Sequence, residues 1–159
     1  MWSRSAFGSV LRQGARSTTA ATALGSYPPY IVSIMSQTES ATDVGTRFLE
    51  ALASRDYETL GACFAADGTL RGVVPPGLRE ADGRDAITER FRIWTGDVEE
   101  YEIADSEAAP FADMLRLRWV VQGVDPELGL NAYEQTAYAE VAGGEIVAMR
   151  LACSGHRPL

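Results

Sequence analysis

Residues 114–122 alternate without a fault: Leu115, Leu117, Trp119 and Val121 take one side of an extended chain, and Arg116, Arg118 and Val120 the other. A two-residue period makes sense only in a strand with one face covered, and a slip by one residue would bury two arginines. The chain must therefore supply something to lay on the apolar side of a sheet. Upstream, Thr42 or Asp43 can cap a helix in which Val44, Phe48, Leu49 and Leu52 recur at helical spacing, ending near Ser54-Arg55-Asp56. A shorter helix is expected over 57–64, with Tyr57, Leu60 and Phe64 on one side, and a third over 86–94, opened by Gly83-Arg84-Asp85, with Ile87, Phe91 and Trp94 on one face. Between them Gly68 breaks the helical pattern, and 69–74 reads as a short strand stopped by Pro75-Pro76-Gly77. Residues 98–107 form another strand; after a loop carrying Pro126 and Gly129, strands 131–141 and 145–153 are joined by the hairpin turn Ala142-Gly143-Gly144. Helix, helix, strand, helix and then an antiparallel meander is an α+β order with the helices on one sheet face.

A chain of 159 residues suits one globular domain, placed at 40–157. Residues 1–35 read as a separate, disordered leader: Ser-, Thr- and Ala-rich, without an acid, and with Arg4, Arg12 and Arg16 on one helical arc opposite Trp2, Phe7, Val10 and Leu11. That pattern fits an organelle transit peptide or, equally, an upstream start ahead of Met35. The expected location is accordingly cytoplasmic, or an organelle matrix if the leader is a transit peptide. Tyr27-Pro28-Pro29-Tyr30 reads as a turn or extended linker. From Ser36 onward 11 Arg face 22 Asp and Glu, with no Lys. A body so acidic repels phosphate backbones and anionic lipid, which disfavours nucleic-acid and membrane-surface partners and leaves a small apolar molecule as the compatible one. No apolar run is long enough to span a bilayer. Cys63 and Cys153 are the only cysteines and His156 the only histidine, too few and too scattered for a disulfide scaffold or a metal site.

The segments FLEALASRDYETLGACFAADGTLRG, GRDAITERFRIW and YAEVAGGEIVAMRL resemble the nuclear transport factor 2-like superfamily, in particular its SnoaL-like and ketosteroid-isomerase-like branch. The resemblance covers about residues 42–156. It implies a cone-shaped fold, with three N-terminal helices packed on a curved antiparallel sheet around a pocket, and commonly a homodimer through the sheet's outer face, here Arg116, Arg118, Val120, Thr136 and Tyr138. The superfamily spans isomerases, cyclases, dehydratases, epoxide hydrolases and plain binding modules, so fold alone does not fix function.

With that cone, Leu115, Leu117 and Trp119 line the pocket from one strand and Val147, Met149, Leu151 and Cys153 from the last, while Phe48, Leu52, Phe91 and Trp94 close it from the helices. The same stripes would serve equally as ordinary core. On strand 131–141 either Tyr133 and Gln135 face inward with Ala137, or Glu134 and Thr136 do with Tyr138. The first register is preferred, because it sets small Ala137 and Ala139 against the helices and Glu134 and Glu140 toward solvent. Gln135 then falls where the isomerase-like members carry the acid that hydrogen-bonds a substrate oxyanion; an amide can donate that bond but not a proton. The tyrosine of those enzymes falls on Phe48 and their general base on Gly72, which argues against their proton shuttle. In the epoxide-hydrolase arrangement the second carboxylate falls on Leu151, while Arg116 and Arg118 face outward.

His156 is the one side chain of a type that exchanges its proton near neutrality, and Asp67 the other proton carrier considered; a Cys153–His156 pair is disfavoured because the two turn to opposite faces. The expected function is an apolar pocket that binds a small hydrophobic, carbonyl-bearing molecule without chemistry and without a cofactor. The alternative is a cofactor-free isomerase, cyclase or dehydratase in which Gln135 and Tyr133 polarise a carbonyl and His156 or Asp67 moves protons.

Overall fold

The computed structural model describes residues 28–159, the side chains of 34–39 excepted. The leader arc of Arg4, Arg12 and Arg16, with Tyr27, lies outside the described residues. The chain divides into two compact units, Met1–Ile34 and Met35–Leu159.

Helix α1 covers Pro29–Ser54, α2 Tyr57–Ala62 and α3 Arg84–Thr95. Strands β1 Phe64–Val74 and β2 Gly77–Asp82 precede α3, and β3 Glu99–Phe111, β4 Met114–Asp125, β5 Gly129–Ala142, β6 Glu145–Cys153 and β7 Arg157–Pro158 follow it. The sheet runs β2-β1-β6-β5-β4-β3, with β7 on β5. Every pairing is antiparallel except β1 with β6. This is the α+β architecture expected from the sequence: helices on one face of a curved, unclosed, mostly antiparallel sheet.

Four local readings need correction. Helix α1 starts at Pro29, so Thr42 and Asp43 are interior positions and not caps. Pro29 sits in the first turn, where its missing N–H costs nothing, and Ile31 and Val32 donate to the Pro28 carbonyl. The chain 27–30 is therefore no linker over its described part. Phe64 opens β1 instead of closing α2, which ends at Ala62; Cys63 donates its backbone N–H to the Leu60 carbonyl, and Cys63 O then accepts from Ile146. Beyond Pro75-Pro76, β2 folds back on β1 in a hairpin, Val73 opposite Leu78, that Leu78-Arg79-Glu80 gave little apolar signal for. In β6, Ile146 and not Val147 is buried, because a register shift between Glu140 and Val141 inserts a residue there and reverses the alternation on its N-terminal side.

Strand β5 adopts the preferred register: Asn131, Tyr133, Gln135, Ala137 and Ala139 are buried. The concave face meets the helices in an aromatic cluster centred on Phe48, whose ring stands edge-on to Phe64, Phe91 and Trp119 at 6.0, 5.4 and 5.7 Å. On the convex face Arg118 bridges Asp105 and Glu134, Arg116 meets Glu107, and Arg150 meets Glu140. The arginines that the alternation set apart from Trp119 thus answer acids of neighbouring strands.

Candidate functional site

The ends of α1, β1, α3, β4 and β6 and the beginnings of β3 and β5 come to one end of the sheet. Tyr101 of β3 donates its hydroxyl to the Leu52 carbonyl at 3.1 Å, and the Tyr57 hydroxyl lies 2.9 Å from Thr95 Oγ1. Arg55 closes the corner between α1 and β3: it donates to the carbonyls of Gly96 and Val98 and stacks 4.2 Å above the Tyr101 ring. Its backbone is in the left-handed region, φ 55°, where the N–H groups of Asp56 and Arg55 cap α1 by donating to Ala51 and Leu52. A surface cavity of about 580 Å³ beside it is lined by Ala53–Arg55 and by the backbone-rich turn 96–101. It is open and polar, with Arg55 among its lining residues, a setting unsuited to an apolar ligand.

Inside this end, three polar side chains follow one another on β5. Trp119 Nε1 donates to Gln135 Oε1 at 3.0 Å. An indole nitrogen can only donate, so this bond fixes which way the amide points and leaves its NH₂ as the donor end, beside Cys153. Burial pushes the Cys153 thiol up, with the Gly155 backbone and the Gln135 amide pulling the other way. Tyr133 is 7% exposed; burial pushes its hydroxyl well above the usual phenol range, with a smaller push from Cys153 and a pull the other way from Arg55, so it stays a neutral donor. Asn131 donates Nδ2 to the Gly129 carbonyl at 2.7 Å and presents Oδ1 to His156 Nδ1 at 2.9 Å. The His156 ring rests 4.9 Å from that of Tyr133, so it meets the same face of β5 that Cys153 meets at Gln135, and not the opposite face expected from their spacing.

The other sequence-derived residues divide by depth. Phe48, Leu52, Phe91, Leu115, Leu117, Trp119 and Met149 have at most 1% of their surface exposed and form close-packed core. Leu151, Trp94 and Cys153 sit nearer the opening and are less completely enclosed. Gly72 faces inward opposite Leu151. A methyl built on it would lie 3.4 Å from the far edge of the Trp94 ring and 3.6 Å from Leu151, so the ring fills the space that a longer side chain would need. Asp67 is exposed and stands near the other end of β1, roughly 20 Å along the strand from the level of Gln135. Arg116 and Arg118 point away from the site. Among the described residues no group of three or more His, Cys, Asp or Glu could hold a metal ion, and no helix is long and apolar enough to cross a membrane.

Sequence reasoning passed over Asn131, Tyr101, Thr95 and Arg55. Asn131 is in phase with Tyr133 and Gln135 and could have been found from that alone; Arg55 could not, since its role depends on a left-handed backbone and a ring 46 residues away in the chain.

A curved, unclosed, mostly antiparallel sheet backed by helices on its concave face is the nuclear transport factor 2-like fold. The chain belongs to the SnoaL-like domain family, whose description matches residues 46–149. Among solved structures it is similar to a protein with a ketosteroid isomerase-like fold from Catenulispora acidiphila DSM 44928 in complex with trimethylamine, at 21% identity and TM-score 0.58 over 68% of this chain and 82% of that one. It is also similar to a candidate polyketide cyclase from Xanthomonas campestris pv. campestris, at 20% identity and TM-score 0.58 over 73% and 91%. A nuclear transport factor 2-like protein from Burkholderia xenovorans LB400 matches at 14% identity and TM-score 0.58 over 74% and 91%. At these identities the likeness is one of fold. Among curated proteins none matches this chain.

Proposed function

We propose that the open end of the sheet binds a flat hydrophobic molecule bearing a carbonyl group and holds it without chemistry. The observation that carries this reading is the Trp119–Gln135 bond: it consumes the acceptor end of the amide and leaves a pre-oriented donor, with the neutral Tyr133 hydroxyl two residues away on the same face. Trp94, Leu151 and Cys153 supply the apolar walls, and the deeper residues Phe48, Leu52, Phe91, Leu115, Leu117 and Met149 the floor. Against catalysis by a carboxylate base stand Gly72, whose space Trp94 occupies, and the distance of Asp67.

The test is calorimetric titration with 9-fluorenone and with fluorene, its counterpart without oxygen. The ketone should bind more tightly, and Gln135→Leu should weaken it by about 1–3 kcal/mol while leaving fluorene unchanged. Equal binding of the two compounds by the native chain contradicts the reading. Were the site an enzyme's, Gln135→Leu would instead lower turnover of a ketone substrate by roughly 10²–10³ with affinity changing less.

A homodimer through the convex sheet face belongs to the same proposal. Val120, Thr136 and Tyr138 lie there among Arg116–Glu107 and Arg118–Glu134 pairs that can exchange partners across a two-fold axis.

A further inference from the structure

We infer that His156, held by Asn131, is a second recognition group of this pocket: it accepts a hydrogen bond from a ligand hydroxyl, so the chain selects flat hydroxyketones over simple ketones. The inference rests on the carbonyl-binding reading above and adds the far end of the ligand to it.

Asn131 is 4% exposed and shares the concave face of β5 with Tyr133 and Gln135. Its amide orientation is set by Gly129: Nδ2 lies 2.7 Å from that carbonyl, a place where only a donor is tolerated. Oδ1 therefore faces His156, and the contact at 2.9 Å is a hydrogen bond only if Nδ1 of the imidazole carries a proton. A neutral imidazole protonated on Nδ1 has a bare Nε2, and among the described residues Nε2 has no partner. The ring is held at the site by its contact with Tyr133. It is also tethered by the chain on both sides: Ser154 exchanges bonds with Glu134, and Leu159 N–H donates to the Leu130 carbonyl beyond the Arg157–Ala132 pair. His156 is exposed, but the chain on either side of it is tied to β5. Its ring caps the same row of side chains that ends, deeper in, at the Gln135 amide.

The row reads donor, donor, acceptor: Gln135 NH₂, Tyr133 OH, His156 Nε2. Four residues of strand separate the level of Gln135 from that of Asn131, about 13 Å, the length of a two- or three-ring molecule. The matching ligand carries a carbonyl at its inner end and a hydroxyl at its outer end.

The sole histidine makes the tautomer readable without assignment, from the imidazole ¹⁵N spectrum of the full chain with any affinity tag removed. Nδ1–H is expected in the native chain and in Asn131→Asp, which keeps an acceptor oxygen, and should give way to Nε2–H in Asn131→Leu. In parallel, 4′-hydroxyflavone and 4′-methoxyflavone, whose phenyl oxygen lies at the far end of the molecule from the ring carbonyl, are titrated. The native chain should prefer the hydroxyl compound by about three- to tenfold; His156→Phe, which keeps a ring against Tyr133, should abolish that preference. A native Nε2–H tautomer, a tautomer indifferent to Asn131→Leu, or a hydroxyl preference that survives His156→Phe overturns the inference. Failure of both flavones to bind also overturns it, whereas the carbonyl reading stands or falls separately on fluorenone.

Discussion

Gln135 ties fold stability to recognition through a single bond. Its Oε1 satisfies the indole N–H of Trp119, a side chain with no exposed surface, so Gln135→Leu strands a buried donor and should cost about 1–3 kcal/mol in stability in addition to its effect on binding. In a double-mutant cycle with Trp119→Phe, which removes that donor, chemical denaturation should show a coupling of about 1 kcal/mol; additive losses would mean the bond contributes nothing. Trp119→Ala is a different case. The ring packs against Phe48 at 5.7 Å, and emptying its place should cost about 3–5 kcal/mol. Arg55 shows how a side chain can hold a backbone in a conformation that it disfavours. At φ 55° glycine would be easier by about 1 kcal/mol, yet only the arginine can clamp Gly96 and Val98. Arg55→Ala, which keeps the strain and loses the clamp, should therefore unfold at lower denaturant than Arg55→Gly, which loses both; the reverse order would show that the left-handed backbone at this residue carries no strain.

Among the elements, those with strong periodicity were legible and those without were not. The register of β4 followed from the need to keep Arg116 and Arg118 out of the core, that of β5 from setting Ala137 and Ala139 against the helices with Glu134 and Glu140 toward solvent, and the existence of β6 from its glycine hairpin. Strand β2, with Arg79 and Glu80 in its middle, and the two-residue β7 carry no alternation to read; their pairing is set by β1 and β5. The start of α1 was missed because Thr42 and Asp43 look like caps whether or not a helix already runs through them. The candidate site was legible where it coincided with the sheet's inward stripe, as at Tyr133 and Gln135, and illegible where it depended on a contact between distant elements, as at Asn131–His156 and Arg55–Tyr101. Two predictions belong here. A Cβ on Gly45 would meet Leu115 Cδ2 at 2.6 Å and Leu117 Cδ2 at 3.0 Å, so α1 lies on β4 with no room for a branch; Gly45→Val should destabilise by about 1–3 kcal/mol despite better chain entropy. On the convex face the hydrogen bond and charge of Arg118 hold the Asp105 carboxyl below its usual range. A depressed carboxylate contributes stability above its unfolded pKa, about 3.9, and loses it as the pH falls through the folded value. The stability deficit of Arg118→Met should accordingly shrink below about pH 4; a deficit that is constant with pH would assign it to lost packing.

At the scale of the whole molecule, the aromatic cluster around Phe48 and Trp119 supplies stability, and the polar row Gln135, Tyr133, Asn131 with His156 lies beyond it toward one end of the sheet. For the homodimer proposed through the convex face, light scattering at micromolar concentration should return twice the 17.2 kDa chain mass; the mass of a single chain would remove it.

The central claim, that the Gln135 amide is the donor meeting a ligand carbonyl, is tested most directly by heteronuclear NMR of the ¹⁵N-labelled chain. Titrated with 9-fluorenone, the side-chain NH₂ signals of Gln135 should shift with a saturating dependence, with the Trp119 indole signal moving alongside, and fluorene should leave the Gln135 signals in place. Fluorenone binding that leaves Gln135 unmoved, or identical shifts from the two compounds, would contradict it.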